Sequence, residues 1–426
     1  MVSANPFRGL RFDPAVVGDP GLVIAPPYDV ISPEARDTYE CSSPYNMVRV
    51  ILAQGSEPDG RYNQVGKLLT SWVDERALIL DDTPSLYVYE LAYRLNGGRR
   101  VQRGVLATVP LDSSRTWVLP HERTMAAPVE DRLRLLEATN ANLSPVFGLY
   151  AAKGRTAATV AAMAAGKPSI DCIDEVGIEH RMWPVTDPAL IAAWRGALAE
   201  LPVLIADGHH RYRTSLAFQE RVREAQTARG RTPEGPWDEV LMFLADADAD
   251  GPSVLPIHRL CRGLAAERIV AAASDVFAPA PLSGVAEAEA VLARVAPDLP
   301  AFAVHGEAGT WLMTATDPAA LAEEVGLGRA PLDVEVLHGP VLAARAGVTD
   351  FEGDITYEAD AERAAEQVGS GEYSALVMLR PVPVSSVLEV AKAGGTLPQK
   401  TTFFYPKPRD GLVMRPFEPE LFAGPK

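Results

Sequence analysis

Residues 181–225 constrain the fold most, because apolar runs of strand length alternate there with amphipathic runs of helix length. PVLIA, at 202–206, has the length and β-branched content of a short buried strand, and RMWPV, at 181–185, is a second strand candidate. The intervening run begins with Thr186 or Asp187 as the helix cap and Pro188 in the first turn. HHRYRTSLAFQERVREA follows as a second helix. This order of elements predicts a mixed α/β fold.

The rest of the chain mixes strand and helix patterns in the same way, which supports an α/β (mixed α+β) class. The Asn96-Gly97-Gly98 turn between two β-rich runs predicts a hairpin. Further predicted elements are a helix over 129–143, an alanine-rich surface helix within 150–168, a helix plus linker over 264–300, a hairpin over 301–315 and a strand within 371–384. We predict three segments: an N-terminal α+β region (1–150), a phosphate-binding core (151–263) and a C-terminal α+β region (264–426).

The charge balance limits the partners of this protein. Asp and Glu number 56 against 40 Lys and Arg, which gives a formal net charge of −16. Nucleic-acid binding depends on a basic surface that displaces counterions, so a nucleic-acid partner is disfavoured. A basic group in a cleft of so acidic a chain would instead focus a small anion.

Cysteine usage and hydropathy point to a cytoplasmic protein without a membrane partner. The three cysteines, Cys41, Cys172 and Cys261, are far apart and form no CxxC pair, as expected of reduced thiols. The N-terminal residues lack the apolar stretch of a signal peptide. No uncharged apolar run approaches the roughly 20 residues of a membrane-spanning helix.

The sequence DGHHR connects the predicted strand PVLIA to the following helix, and we interpret it as an anion site. The first N–H groups of a helix lack intrahelical partners, and the helix dipole adds positive potential there. Gly208 would let a ligand approach the backbone, and His210 and Arg211 would add donors. The alternative is that Asp207 only caps the helix and the histidines are solvated.

A metal site formed by His209 and His210 is disfavoured by geometry. Adjacent residues on a helix point about 100° apart, so the two rings cannot easily hold one ion. Mg²⁺ bound to the carboxylate of Asp207, accompanying a phosphate, suits the residues better than zinc.

Four other loops contain candidate site residues. In APPYDV, two prolines fix a loop before Tyr28 and Asp29, which we predict to bind substrate, although such loops are often only structural. In LPHERTM, His121, which we predict to bind substrate, lies beside Glu122, a candidate general base; a solvated loop is the alternative. The basic residues of the other two loops could contact the same anion: His258, Arg259, Lys400 and Lys407.

Taken together, these segments resemble the prokaryotic family called domain of unknown function 1015. Seven motifs occur in the family's order, from residue 6 to about residue 413: NPFRGLRF, APPYDVI, HERT followed by DRL.LL, IADGHHRY, LPIHRL, VLH and PQKTTFFYPK..DGLV. The strand–DGHHR–helix unit also looks like the DGxHR motif of the ParB/sulfiredoxin-like fold, within which free-serine kinases are similar by motif. The resemblance implies a ParB/sulfiredoxin-like core with additional N- and C-terminal segments.

The resemblance to free-serine kinases implies roles for the motif residues. Asp207 would orient substrate or Mg²⁺, Gly208 would admit the phosphate, and His209, His210 and Arg211 would hold it; Asp207 and His210 would also take part in catalysis. His209 departs from the small polar residue expected at its position. The catalytic glutamate of these kinases lies upstream of the motif; Glu122 is the candidate and Glu34 the reserve.

The function implied is a small-molecule phosphotransferase that phosphorylates the hydroxyl of free L-serine. The donor is a nucleotide or pyrophosphate, Mg²⁺ accompanies it, and the acceptor is amino-acid-like. Neither a GxxxxGK[ST] loop nor a protein-kinase glycine loop is present in the sequence. Two alternatives stay open: a metal-dependent phosphoesterase and a non-catalytic nucleotide-binding regulator. The oligomeric state is also open, a homodimer included.

Overall fold

The chain forms two compact units, described here from a computed structural model. The first comprises Met1–Pro252 with Pro406–Lys426, and the second comprises Ser253–Tyr405. The structure describes residues 2–55, 58–122, 126–327, 329–398 and 400–422. Within them, both units mix helices with sheets, as the sequence predicts.

The first unit is built around a large mixed sheet. Its helices are α1 (Pro14–Val17), α2 (Pro33–Ser42), α3 (Val48–Ile51), α4 (Pro58–Asp74), α5 (Ala126–Thr139), α6 (Ala157–Met163), α7 (Pro188–Leu198) and α8 (His209–Ala228). Its main strands are β1 (Leu10–Phe12), β2 (Leu78–Leu80), β3 (Leu86–Leu95), β4 (Gly98–Pro110), β5 (Val118–Leu119), β6 (Ala141–Asn142), β7 (Val146–Tyr150), β8 (Ile170–Ile173), β9 (Glu179–Val185), β10 (Val203–Asp207) and β11 (Glu239–Asp246).

The main sheet of the described residues has the strand order β5-β10-β7-β11-β4-β3-β9-β8. β3 and β4 form the predicted hairpin, in which Asn96 and Gly97 adopt φ values of 50° and 76°. Such positive φ values suit a tight turn that matches the twist of the strands. The sheet packs against the helices that follow β7, β9 and β10, through buried residues such as Val160 on α6, Trp194 on α7 and Tyr212 on α8.

The pairing at one end of the sheet positions the candidate site. β5 pairs with β10 in parallel, so both strands end at the same edge of the sheet. β7 runs antiparallel to β10, so β7 begins at that edge. The residues after β5, after β10 and before β7 therefore lie close together, although they are far apart in sequence.

The second unit has its own sheet, with the strand order β14-β16-β15-β18-β13-β17 among the described residues. Its strands are β12 (Ser253–Leu255), β13 (His258–Cys261), β14 (Phe277–Leu282), β15 (Ala301–Gly306), β16 (Gly309–Ala315), β17 (Ile355–Glu358), β18 (Ala375–Met378) and β19 (Phe403–Tyr405). Its helices are α9 (Ala266–Ala273), α10 (Val285–Leu292), α11 (Pro318–Val325), α12 (Asp333–Val336), α13 (Phe351–Asp354), α14 (Ala361–Gly369), α15 (Val384–Lys392) and a π-helical segment, Leu337–Arg345.

The prediction of one helix plus a linker over 264–300 is wrong. This range contains α9, β14 and α10. The strand was missed because FAPAPL contains Pro279 and Pro281, which cannot donate ladder hydrogen bonds. β14 is an edge strand that pairs only with β16 in the order above, and an edge tolerates proline.

The large sheet combines strands from both sides of residue 150. β3, β4, β5 and β7 precede that position, whereas β8 to β11 follow it, and the second unit begins at Ser253. The division into three segments at residues 150 and 263 stays a prediction. Within the described residues, every helix is too short or too polar to cross a bilayer.

Candidate functional site

The anion turn, which we define as Asp207–Arg211, joins β10 to α8. Gly208 adopts φ 92° and ψ 29°, a left-handed conformation that places the start of α8 directly after the strand. α8 begins at His209, so its first N–H groups lie at the same sheet edge as the end of β5. This geometry matches the strand-to-helix turn predicted from the sequence.

Arg211 folds back onto the turn and is 9% exposed. Its Nη2 lies 2.5 Å from Oδ2 of Asp207, and its Nη1 donates to the carbonyl of Pro145, the residue before β7. A Cβ at Gly208 would lie 2.9 Å from Nε of Arg211. The guanidinium therefore occupies the space beside Gly208 in which the sequence predicts a ligand.

Replacing Gly208 by alanine should destabilise the protein and distort the turn. An alanine at this positive φ is strained and would also displace Arg211, so we expect a loss of about 1–3 kcal/mol in the free energy of unfolding. Urea denaturation measures this loss.

Gly196→Ala is the matched control for Gly208→Ala. Gly196 lies in α7, and the space that an added methyl group would occupy there is open. Alanine at this position should therefore be neutral or stabilise the helix by about 0.5–1 kcal/mol. Equal effects of the two substitutions would contradict the requirement for glycine in the turn.

Lys407 brings a distant segment to the anion turn. Its Nζ lies 2.6 Å from Oδ1 of Asp207 and 3.2 Å from Oδ2 of Asp29. Burial alone would raise the pKa of Asp207, but Lys407 and Arg211 lower it to about 2. Asp207 is therefore ionised at neutral pH, and each of its carboxylate oxygens contacts a cation.

The loop after β5 places His121 and Glu122 beside the start of α8. The backbone N–H of His121 donates to Nε2 of His209 at 3.3 Å, and the two imidazole rings meet edge to face at 4.7 Å between centroids. Oε1 of Glu122 lies 3.9 Å from Nε2 of His121, and its side chain is 23% exposed. A partly accessible carboxylate thus lies next to His121, whose ring contacts His209 of the anion turn.

The structure shows what the side chain of His209 contacts, at the motif position where this chain departs from the expected small polar residue. Its ring is buried and fixes the His121 loop, so the side chain has a positioning contact inside the protein. The phosphate-binding role of His209 stays a prediction, and its backbone N–H lies at the first position of α8. His210 follows in the same helical turn and is half-buried.

The buried imidazoles of His121 and His209 are neutral at physiological pH. Burial lowers the pKa of His121 to about 4, despite a hydrogen bond to the backbone of Ile205 and the nearby Asp207. Burial and the neighbouring His121 lower the pKa of His209 well below its usual value. Neither ring therefore neutralises the Glu122 carboxylate at pH 7.

The APPYDV loop reaches the site through backbone pairing. Ala25 exchanges backbone hydrogen bonds with Asp410 at 3.1 and 2.8 Å. The short helix Tyr28–Val30 then presents Asp29 to Lys407, and the ring of Tyr28 lies 4.2 Å from the guanidinium of Arg132. The structure therefore brings Tyr28 and Asp29 to the anion turn.

Asp410 is a buried site residue that the sequence analysis missed. Its Oδ2 accepts a hydrogen bond from the Ser144 hydroxyl at 2.7 Å, and among the described residues its Oδ1 has no hydrogen-bond partner. Burial raises its pKa to about 7, although Arg211 and Ser144 oppose the shift; Asp29 and Asp207 add to it. The only sequence signal was its position in PKPRDG, three residues after Lys407.

Arg409 anchors the segment that contains Lys407 and Asp410. Its Nη2 lies 2.5 Å from the buried carboxylate of Asp174, and that carboxylate also contacts His180 Nε2 at 3.0 Å. The backbone N–H of Arg409 donates to the hydroxyl of Tyr89 at 3.4 Å. This buried network lies within the first unit and fixes the segment on the sheet.

The other predicted basic residues, His258, Arg259 and Lys400, belong to the second unit. His258 and Arg259 are each 1% exposed. Arg259 donates to Nε2 of His338 at 3.0 Å and to the carbonyl of Lys400 at 3.1 Å, and burial lowers its pKa to about 10. Its guanidinium is thus used inside the unit, and Lys400, at φ 55°, is exposed. Their phosphate-binding roles stay predictions.

The described residues contain no group of three or more His, Cys, Asp and Glu side chains arranged for a metal ion. Asp207 offers carboxylate oxygens of the kind that Mg²⁺ prefers. Both oxygens contact Lys407 or Arg211, so an ion at Asp207 would have to replace one of these contacts.

Several solved structures show a distant likeness to this chain. One is a free serine kinase in complex with AMP, with 15% identity and a TM-score of 0.36 over 70% of this chain and 86% of that chain. A conserved hypothetical protein from Pyrococcus furiosus matches with 15% identity and a TM-score of 0.34, over 72% and 94%. SbnI from Staphylococcus aureus matches with 12% identity and a TM-score of 0.34, over 73% and 81%.

The sequence itself gives a clearer relationship. No curated protein matches the chain. A family model described as protein of unknown function (DUF1015) matches residues 4–334, which is most of the chain. The match confirms the resemblance seen in the motifs, and this chain belongs to the DUF1015 family.

Proposed function

We propose that this protein is a phosphotransferase that transfers a phosphoryl group from a nucleotide or pyrophosphate to the hydroxyl of free L-serine. The observation that carries the proposal is the position of Glu122 beside the anion turn, which combines helix N–H groups with the cations Arg211 and Lys407. The DGxHR-type motif resemblance supplies the identity of the acceptor.

The anion turn would hold the donor phosphate. Phosphoryl transfer requires positioning and charge neutralisation more than covalent catalysis. The N–H groups of His209 and His210 would contact the phosphate oxygens, while Arg211 and Lys407 would balance the charge. The contacts of these two cations with Asp207 hold them in place before the donor binds.

Glu122 would act as the general base. Its carboxylate would accept the proton of the serine hydroxyl as the hydroxyl oxygen attacks the terminal phosphorus. The bond from phosphorus to the bridging oxygen breaks, and the leaving phosphate keeps the electron pair beside Arg211 and Lys407. Tyr28 and Asp29 would contact the substrates from the neighbouring loop.

Mg²⁺ is proposed as the ion that accompanies the donor. When bound, it would supply further neutralisation of the phosphate charge. Asp207 is the residue proposed to hold it, since its low pKa keeps the carboxylate ionised. The ion would replace one of the contacts of Asp207 with Lys407 or Arg211.

Phosphorus NMR tests the proposed reaction directly. The protein is incubated with Mg²⁺, L-serine and ATP, ADP or pyrophosphate, and phosphoserine is the expected product. Release of phosphate from phosphoserine, with no phosphoserine formed from any donor, would favour a metal-dependent phosphoesterase. Donor binding without turnover would favour a nucleotide-binding regulator.

Arg211→Ala should weaken donor binding strongly. Loss of a buried guanidinium beside the phosphate is expected to cost about 2–5 kcal/mol, or roughly 30-fold or more in affinity. Isothermal titration calorimetry with ADP and pyrophosphate measures the effect. Arg221→Ala is the control, because Arg221 lies on the same helix but is exposed and pairs with Glu137. Unchanged donor affinity in Arg211→Ala would refute the anion-turn assignment.

A further inference from the structure

A pocket lies between helices α3, α4 and α5 of the first unit, and no residue of the anion turn is among its described lining residues. Its enclosed volume is about 180 Å³. At the ~30 Å³ that a water molecule occupies in the liquid, the pocket has room for roughly six non-hydrogen atoms. The proposed reaction assigns no role to this space.

Much of the pocket wall is apolar. The apolar residues come from α3, from the segment that follows it and from α5: Val50, Ile51, Leu52, Ala53 and Leu135. Arg132 of α5 holds the end of α3 in place, because its Nη1 donates to the carbonyl of Ile51 at 2.7 Å. Apolar walls with a small number of polar groups are typical of sites for organic ligands.

The charged groups of the wall leave an excess of positive charge. Nη2 of Arg61 lies 2.5 Å from Oδ1 of Asp131, and Nε of Arg132 donates to Oδ2 of the same carboxylate at 2.8 Å. The hydroxyl of Tyr62 also donates to Oδ1, at 2.5 Å. Both oxygens of Asp131 are thus in use, and the described wall contains two guanidinium groups but one carboxylate. The pocket therefore favours an anionic ligand.

Arg61 also has a donor that the described residues do not satisfy. Its Nε is buried and has no hydrogen-bond partner among them. A buried donor without a partner is costly, and in proteins such groups are nearly always paired with protein, water or a ligand. The side chain as a whole is 31% exposed, so a ligand can reach it from solvent. A guanidinium pairs well with a carboxylate, which can accept two parallel hydrogen bonds.

We infer that this space, the Arg61 pocket, binds a small aliphatic monocarboxylate. The carboxylate of the ligand pairs with Arg61 through Nε, and the alkyl group packs against the apolar wall. An amino acid fits less well, because its ammonium group would lie near two guanidinium groups, and the one carboxylate of the described wall is already paired. The inference goes beyond the proposed function, since this ligand is neither the donor nor the acceptor.

The test compares three small ligands that differ in one group. Isobutyrate is the probe, isobutyramide is its neutral isostere, and 2-aminoisobutyrate adds only an ammonium group. Each is titrated to about 20 mM at constant ionic strength and followed by ligand-observed NMR, without donor or L-serine. We expect a Kd of about 1 mM or lower for isobutyrate and affinities about tenfold or more weaker for the other two. Absence of isobutyrate binding, or equal binding of either analogue, would overturn the inference.

Variants then locate the ligand in the pocket. Arg61→Gln should weaken isobutyrate binding about tenfold, because it removes the unpaired donor and one of the two cations. Lys67→Gln is the matched control, with the same loss of charge at an exposed position of α4, and it should stay within about twofold of the wild type. Ala53→Leu keeps both arginines but fills part of the wall, and it should also weaken binding about tenfold.

Circular dichroism shows whether each variant is folded, and Ala53→Leu carries the test if Arg61→Gln is not. An equal loss in Arg61→Gln and Lys67→Gln would reduce the effect to general electrostatics and overturn the inference. Unchanged affinity in the folded pocket variants would overturn it as well. Because no phosphoryl transfer is measured, these results are independent of the proposed function.

Discussion

Glu122→Gln is expected to reduce kcat by about a thousandfold while leaving donor affinity nearly unchanged, because a general base contributes roughly 10²–10⁴ to the rate. The amide keeps the size and shape of the carboxylate but cannot accept the hydroxyl proton. The side chain is 23% exposed and lies beside the neutral imidazole of His121 rather than in the phosphate contacts. Single-turnover phosphorylation of L-serine measures kcat, and titration with ADP measures binding.

Glu34→Gln discriminates between the two glutamates that the sequence proposed. Glu34 is exposed in the first turn of α2, where the hydroxyl of Ser32 caps the helix. No contact joins it to the anion turn in the described structure, so its variant should keep wild-type turnover. A loss of turnover in Glu34→Gln, with activity kept in Glu122→Gln, would show that the base assignment is wrong.

The sequence predicted the anion turn because its signal is local. A β-branched run, a glycine and a helical pattern follow one another within about 20 residues, and these are the features that fix β10, Gly208 and α8. The neighbourhood of the turn depends on strand pairing. The parallel register of β5 on β10, which brings His121 to His209, has no signature in either short run.

Burial is the property of the site residues that the sequence shows least. His209 and Arg259, which the HH and HR pairs predict to bind an anion, are buried and contact other parts of their own unit. Asp410 was missed for the same reason. Its carboxylate is buried by backbone pairing with Ala25, a partner 385 residues away in sequence, which no spacing rule detects.

We expect the free energy of unfolding of the wild type to fall as the pH rises, because Asp410 ionises, and we expect Asp410→Asn to lack this fall. The folded pKa of Asp410 is about 7, whereas an unfolded aspartate titrates near about 3.9. The folded state thus binds this proton more tightly, and the associated stability is complete below about pH 4 and lost as the pH rises through about 7. The difference corresponds to up to about 4 kcal/mol. Asparagine does not ionise, so the variant should lack this decline.

The measurement is the free energy of unfolding in urea at several values between pH 4 and pH 8, for the wild type and Asp410→Asn. The substitution itself changes the free energy of unfolding by an amount that does not depend on pH. The free energy of unfolding of the variant minus that of the wild type should therefore increase as the pH rises across this window. Asp207 has a lowered pKa of about 2, and its opposite contribution is lost only below about pH 4, outside the window. Asp37→Asn, at an exposed carboxylate, should give a flat difference. A flat difference for Asp410→Asn as well would mean that Asp410 is ionised throughout in the folded protein.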